Sequence, residues 1–219
     1  MNLGDVRTYV RSLLAEDTAA FWTNAQLNTF IQRSFVTVYN KMANQRRGYF
    51  ESTSNVTYVA NQELYTLASV TVKIILVERV DGLVPVPVNL HPIDITQKND
   101  YATVAGNDVL PGSERYFVTG NSIGIAPIPR SAVTNALKVW QVLAPAIPTG
   151  DSDAFPTEMT DLHHELIAWG ALMRAVARDK QMLAQLAPIY QELKALMAED
   201  TQIRVAQEPP QIIDTDPWG

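Results

Sequence analysis

Residues 155–198 read FPTEMTDLHHELIAWGALMRAVARDKQMLAQLAPIYQELKALMA and predict a long, interrupted helical segment. Apolar side chains recur within it at i, i+4, i+7, i+11 and i+14, which places them on one stripe of a helix. They are Leu162, Leu166, Trp169, Met173 and Val176. Burial of each contributes roughly 1.5–3 kcal/mol before the entropy of ordering is subtracted, so the helix needs a partner surface.

Pro188 predicts a break or a kink, because proline inside a helix loses a hydrogen bond and collides with the preceding turn. We expect it to separate a helix over about 159–179 from a second helix that ends near Glu199.

The partner surface is expected near the other end of the chain. A first amphipathic helix runs from Leu3 to about Glu16. The next begins at a capping box formed by Thr23 and Gln26, with Trp22 and Leu27 as a hydrophobic staple. Its apolar stripe is Leu27, Phe30, Ile31, Phe35, Val38 and Met42. We therefore expect the two ends of the chain to share one core.

Between the helical ends, about residues 55–143 favour β-branched and aromatic side chains and contain frequent turn signals. Predicted hairpins join 56–58 to 64–65, 70–80 to 83–88, and 115–118 to 123–126. Pro85 and Pro87 make the return strand 83–88 an edge strand, and 136–143 is the last strand. Residues 90–98 are expected to hold one or two helical turns, and 99–113 to form a loop.

These elements predict an α+β fold, in which a helical bundle from both ends of the chain carries an inserted, mostly antiparallel β region. The expected parts are an N-terminal helical hairpin over 1–47, the β region over 48–150 and the C-terminal helices over 151–200. Residues 201–219 are predicted to be an extended tail.

That tail has neither helical nor strand periodicity, and Pro209 and Pro210 stop any helix. It nevertheless carries Ile212, Ile213 and Trp218. About twenty extended residues could span roughly 60–70 Å, which is enough to reach another subunit. We predict that these five residues bind a neighbouring protein; the alternative is a tail that folds back on its own domain.

Composition excludes several classes of protein. At 47% hydrophobic and 18% charged residues the chain can fill a core, and no apolar run or secretory h-region indicates a membrane span or a signal peptide. The absence of cysteine excludes disulfides and thiolate metal sites. A net charge of −6 argues against tight binding of DNA phosphates.

No pattern predicts catalytic, cofactor-binding or metal-binding residues. His163 and His164 are adjacent and therefore point about 100° apart on a helix, without a second histidine four residues away to complete a ligand pair. Glycine loops lack the lysine of a phosphate-binding loop, and no serine lies in a nucleophile elbow. An enzyme is the weaker hypothesis.

Three motifs together resemble those of the head-to-tail adaptor, or connector, proteins of tailed bacteriophages. The first is W-T-x-x-x-L at Trp22–Leu27, followed by a helix that carries Ile31. The second is YFVTGNSIGIAPIP at 116–129, followed by a strand over 137–143. The third is the closing helix with Leu166, Ile167, Trp169, Met173 and Ala175.

This resemblance implies a structural virion protein at the head–tail junction, made in the host cytoplasm. It implies a ring of about twelve copies below the portal, which extends the DNA channel without sequence-specific DNA binding and docks a tail or nozzle protein. The C-terminal tail would then bind the portal. Two alternatives remain: a carbohydrate- or cell-surface-binding module built on the β region with its tyrosines, and another phage tail component such as a tail-completion protein.

Overall fold

A computed structural model describes residues 1–16, 21–45, 50–67, 70–80, 87–102, 114–177 and 179–206. The chain divides into two compact units. A helical unit comprises residues 1–46 and 145–219, and a β unit comprises residues 47–144. The predicted α+β class is confirmed, because the described residues contain five α-helices and two sheets that consist mostly of antiparallel pairs. The predicted tail from Gln207 onward lies outside the described residues.

The helical unit is built from α1 (Leu3–Leu13), α2 (Asn24–Gln45), α4 (Asp161–Ala175) and α5 (Lys180–Ala206). Helix α4 contacts each of the other three, so it is the centre of this unit. Helix α2 packs through one stripe at helical spacing, as its sequence predicts. Its buried apolar residues are Leu27, Ile31, Phe35, Val38, Tyr39, Met42 and Ala43.

The start of α1 is attached to the segment that leads into α4. The backbone N–H groups of Leu3 and Gly4 donate to the carbonyls of Asp153 and Asp151, each at 3.0 Å. Arg7 forms a bidentate pair with the Asp151 carboxylate, at 2.6 Å for both bonds. Since the first turn of a helix has N–H groups without intrahelical partners, these bonds complete α1 and join residues far apart in sequence.

The interruption in the C-terminal helical segment lies at Val176–Asp179, close to the predicted helix boundary at about 179, but the predicted break at Pro188 is wrong. Pro188 lies inside α5, whereas Asp179 accepts the backbone N–H groups of Gln181 and Met182 at 3.0 Å each and so caps the start of α5. Helix α5 also continues to Ala206, beyond the predicted end near Glu199. Residues 201–206, assigned to the tail from sequence, are therefore helical.

The β unit contains two four-stranded sheets, with strand orders β1-β8-β3-β4 and β2-β7-β6-β5. The strands are β1 (Glu51–Tyr58), β2 (Leu64–Thr66), β3 (Thr71–Arg79), β4 (Val88–Asn89), β5 (His91–Pro92), β6 (Arg115–Thr119), β7 (Ser122–Ala126) and β8 (Val133–Leu143). All pairs are antiparallel except β5 with β6. One buried cluster draws apolar side chains from both sheets, so the sheets share a core.

The predicted hairpin around Gly120 and Asn121 is confirmed as β6 and β7, and Gly120 has a φ of +57° in its turn. The predicted pairing of 56–58 with 64–65 is wrong: β1 pairs with β8, and β2 pairs with β7 in the other sheet. Strand β4 lies at a sheet edge, although the predicted turn at 81–82 falls outside the described residues. Residues 95–97 and α3 (Lys98–Ala102) are helical, so 99–102 do not belong to the predicted loop, and the rest of that loop to Ser113 lies outside the described residues.

Candidate interaction surfaces

The predicted capping box of α2 is present. The Thr23 backbone N–H donates to Gln26 Oε1 at 3.0 Å, and the Gln26 backbone N–H donates to Thr23 Oγ1 at 3.2 Å. Leu27 and Ile31 are fully buried behind it. Trp22 is half-buried and makes an edge-to-face contact with Phe30, whose ring centroid is 5.4 Å away. These residues fix the point at which the chain enters α2.

The buried face of α4 differs from the predicted stripe. Leu166 and Val176 are buried, whereas Leu162, Trp169 and Met173 are only half-buried. Most of its other buried residues lie around the remaining sides of the helix: His163, His164, Ile167, Ala168, Gly170, Ala171, Leu172 and Ala175. A helix that is apolar on nearly every side has no single stripe that periodicity can identify, and small residues contribute little to such a pattern.

An apolar groove of about 920 Å³ lies in the helical unit, where the end of α1 and the start of α2 approach the corner between α4 and α5. Leu14, Trp22, Val176 and Met182 contribute its apolar walls. Phe21 lies beside it with 79% of its surface exposed. An aromatic side chain left this open at the edge of an apolar groove is typical of a surface that contacts other proteins.

A second groove, of about 450 Å³, lies along α2 and has two arginines. We call it the basic groove; it is lined by Thr29, Gln32, Arg33, Val36, Thr37, Ile147 and Arg174. Ile147 is 49% exposed. The two histidines of α4 lie elsewhere, in the core.

His163 and His164 have structural surroundings. The Nδ1 atom of His163 accepts the backbone N–H of Thr160 at 3.0 Å, at the start of α4. His164 packs against Phe155, with ring centroids 5.7 Å apart. Burial lowers the pKa of His164, and the nearby amino terminus adds to this, while Asp161 opposes it. In the described part of the chain no three His, Cys, Asp or Glu side chains are grouped to hold a metal ion.

Three tyrosines of the β unit lie in its core rather than on its surface. Tyr58, Tyr65 and Tyr116 are 2%, 5% and 7% exposed, and all three belong to the shared core. Burial raises the pKa of Tyr65 and of Tyr116. Arg79 and Glu114 form a buried ion pair at 2.6 Å in the same unit. These polar groups stabilise the fold and offer no open site.

The sequence could not locate the two grooves, because their walls come from residues more than a hundred positions apart. Arg33 and Arg174 have no local motif around them. Phe21 is the one residue whose position in the sequence points to the apolar groove, because it precedes the capping box without belonging to any apolar stripe. The predicted tail residues Pro209, Pro210, Ile212, Ile213 and Trp218 lie outside the described residues, so their binding role stays a prediction.

Grooves and charged patches on a helical scaffold are features of a protein that assembles with other proteins. Among the helices in the ranges described, none combines the length and apolar character that a membrane span requires. A family model described as SU10 adaptor protein matches residues 1–213. The chain therefore belongs to the SU10 adaptor family, a family of phage head-to-tail adaptors and thus of structural virion proteins. Comparison with curated proteins finds no match.

Proposed function

We propose that copies of this chain form a ring of about twelve at the head–tail junction, between the portal and the tail. The observation that carries this proposal is the family match over residues 1–213. The ring extends the DNA channel below the portal and presents a docking surface to a tail or nozzle protein. The protein acts by assembly rather than by catalysis, and it is made in the host cytoplasm before it joins the virion.

The charge of the chain supports a channel through which DNA slides. A protein that holds DNA neutralises phosphates with lysine and arginine, and each such contact adds affinity. With 17 basic and 23 acidic residues, the net charge of −6 favours few phosphate contacts per copy. DNA would therefore pass without sequence-specific binding and without being retained.

The C-terminal tail would hold the ring on the portal. Pro209 and Pro210 would favour an extended tail, and Ile212, Ile213 and Trp218 would supply apolar contacts. Since every copy contributes one tail, weak single contacts are multiplied by the number of copies in the ring. The ring would thus bind the portal through several tails at once.

A truncation tests this role. A chain that ends at Gln207 should keep its melting temperature, because the described helices and sheets remain complete, but should lose portal binding by at least about tenfold, or about 1.4 kcal/mol. Surface plasmon resonance on immobilised portal measures the change. Full-length Trp218→Ala should weaken binding in the same direction, whereas Gln211→Ala serves as the matched polar control. Equal affinity of truncated and full-length protein would contradict the role of the tail.

The carbohydrate-binding alternative loses support from the burial of Tyr58, Tyr65 and Tyr116. Specific binding of the protein to a glycan array would revive it. A tail-completion protein differs from an adaptor only in its partner, so pull-down with purified portal and with purified tail protein separates the two.

A further inference from the structure

The basic groove contains positive charge without an acidic partner. Arg33 and Arg174 are both exposed, and no acidic side chain lies within ion-pair distance of either among the residues that the structure describes. Within the described ranges Arg174 donates one long hydrogen bond, from Nε to Ser34 Oγ at 3.4 Å, and its charge also acts on Tyr190. The chain has a net charge of −6, yet two exposed arginines lie here beside the exposed apolar Ile147. A surface that is acidic and partly apolar would complement this groove.

The same unit carries such a counterpart. Glu158 and Asp161 are exposed and Glu165 is half-exposed at the start of α4, and the Asp161 side chain is fully open to solvent. Leu162 lies half-buried among them. We call Glu158, Asp161, Leu162 and Glu165 the acidic face. It combines three carboxylates with an apolar side chain, as the basic groove combines two arginines with Ile147 and Val36.

The two surfaces point away from each other. Arg174 follows Glu165 by nine residues on α4, which is a rotation of about 180° and a rise of about 14 Å at 3.6 residues per turn. Within one copy Glu165 is therefore directed away from Arg174, and the carboxylate of Glu158 acts on Tyr39 of α2 rather than pairing with Arg33. Two copies can meet head to tail, and a contact between two different surfaces can repeat around a ring, whereas a two-fold contact ends at a dimer.

We propose that the acidic face of one copy docks into the basic groove of the next, with Glu158 and Glu165 facing Arg33 and Arg174. The inference rests on the proposed ring and names the surfaces that join its subunits. Leu162 and Ile147 would exclude water from the middle of the contact, which strengthens the ion pairs around them. The charges set the register between neighbours and reject the reverse orientation.

Charge reversal with mixing tests this arrangement. One variant carries Arg33→Glu and Arg174→Glu, and the other carries Glu158→Arg and Glu165→Arg. Each variant alone should fail to form rings, because like charges then meet at every contact. An equal mixture of the two should form rings again, since every contact in an alternating ring pairs opposite charges. Light scattering and negative-stain microscopy, with portal present and absent, measure the assembly.

Control variants each carry one charge reversal of the same kind at an exposed position outside both surfaces. Arg130→Glu in the β unit and Glu192→Arg on α5 should assemble as the wild type does. Thermal unfolding of each reversed variant shows whether it folds. If one does not, the milder Arg174→Gln and Glu165→Gln should shift assembly to higher protein concentration and reduce its sensitivity to salt. An unchanged salt response in these two would overturn the proposal.

The outcomes separate this inference from the proposed function. Rings that persist in both reversed variants, or that fail to return in the mixture of folded variants, would overturn the interface and leave the adaptor ring standing. Wild-type protein that forms no ring, alone or with portal, would overturn the proposed function itself.

Discussion

His164 is a buried side chain of α4, and folding lowers its pKa. It is 5% exposed, and its ring lies against Phe155 while Asp161 Oδ1 is 3.8 Å from its Nδ1 atom. Because its pKa is lowered in the folded protein, the unfolded chain takes up the proton first as the pH falls. The contribution of His164 to the free energy of unfolding is therefore complete above the unfolded pKa of about 6.5. It is lost as the pH falls below that value.

We predict that the melting temperature falls between about pH 7.5 and pH 5.5, and that His164→Leu reduces this fall. The comparison uses the change with pH in each protein, measured by differential scanning calorimetry. A measurement at about pH 8 records the packing effect of the substitution alone, since His164 is neutral there in both states. The same pH dependence in wild type and variant would show that His164 does not couple protonation to folding.

Among the helices, the crossing of α2 and α4 depends on a glycine. A Cβ atom on Gly170 would lie 2.8 Å from Ser34 Oγ and 3.1 Å from Ser34 Cβ, with Tyr190 Oη of α5 at 3.2 Å. Alanine has the better helix propensity by about 1 kcal/mol. Overpacking between helices typically costs about 1–3 kcal/mol, and here three atoms from two helices would have to move.

Gly170→Ala is therefore expected to lower the melting temperature by about 2–4 °C, which corresponds to about 1 kcal/mol in a chain of this length. In a Ser34→Ala background the hydroxyl is gone, so the same substitution should cost less. Differential scanning fluorimetry measures the melting temperatures of the wild type, the two single variants and the double variant. A higher melting temperature for Gly170→Ala would mean that helix propensity outweighs the close approach.

Local chemistry made some elements predictable. Thr23 and Gln26 predict the start of α2, and Gly120–Asn121 predict a hairpin turn, because caps and tight turns depend on residues that are close in sequence. Pro188 misled the prediction because α5 begins nine residues earlier, at the Asp179 cap, and continues through the proline. The partner of β1 could not be read from the sequence, because Glu51–Tyr58 pairs with a strand about eighty residues later.

At the scale of the whole molecule, the helical unit is held together by contacts between the two ends of the chain. Helix α1 is bonded to the turn at 150–153, Arg7 pairs with Asp151, and α4 packs on α1 and α2. The proximity of the ends could be predicted from two apolar helices that each need a partner. The grooves could not, because Ile147 and Arg174 become neighbours of α2 only once these long-range contacts form.

We propose above all that this chain acts as a ring attached to the portal. Multi-angle light scattering of the purified protein mixed with cognate portal measures the mass of the complex directly. We expect a complex that contains about twelve copies of the 24.3 kDa chain per portal ring. A chain that stays monomeric in the mixture, with portal eluting at its own mass, would contradict it.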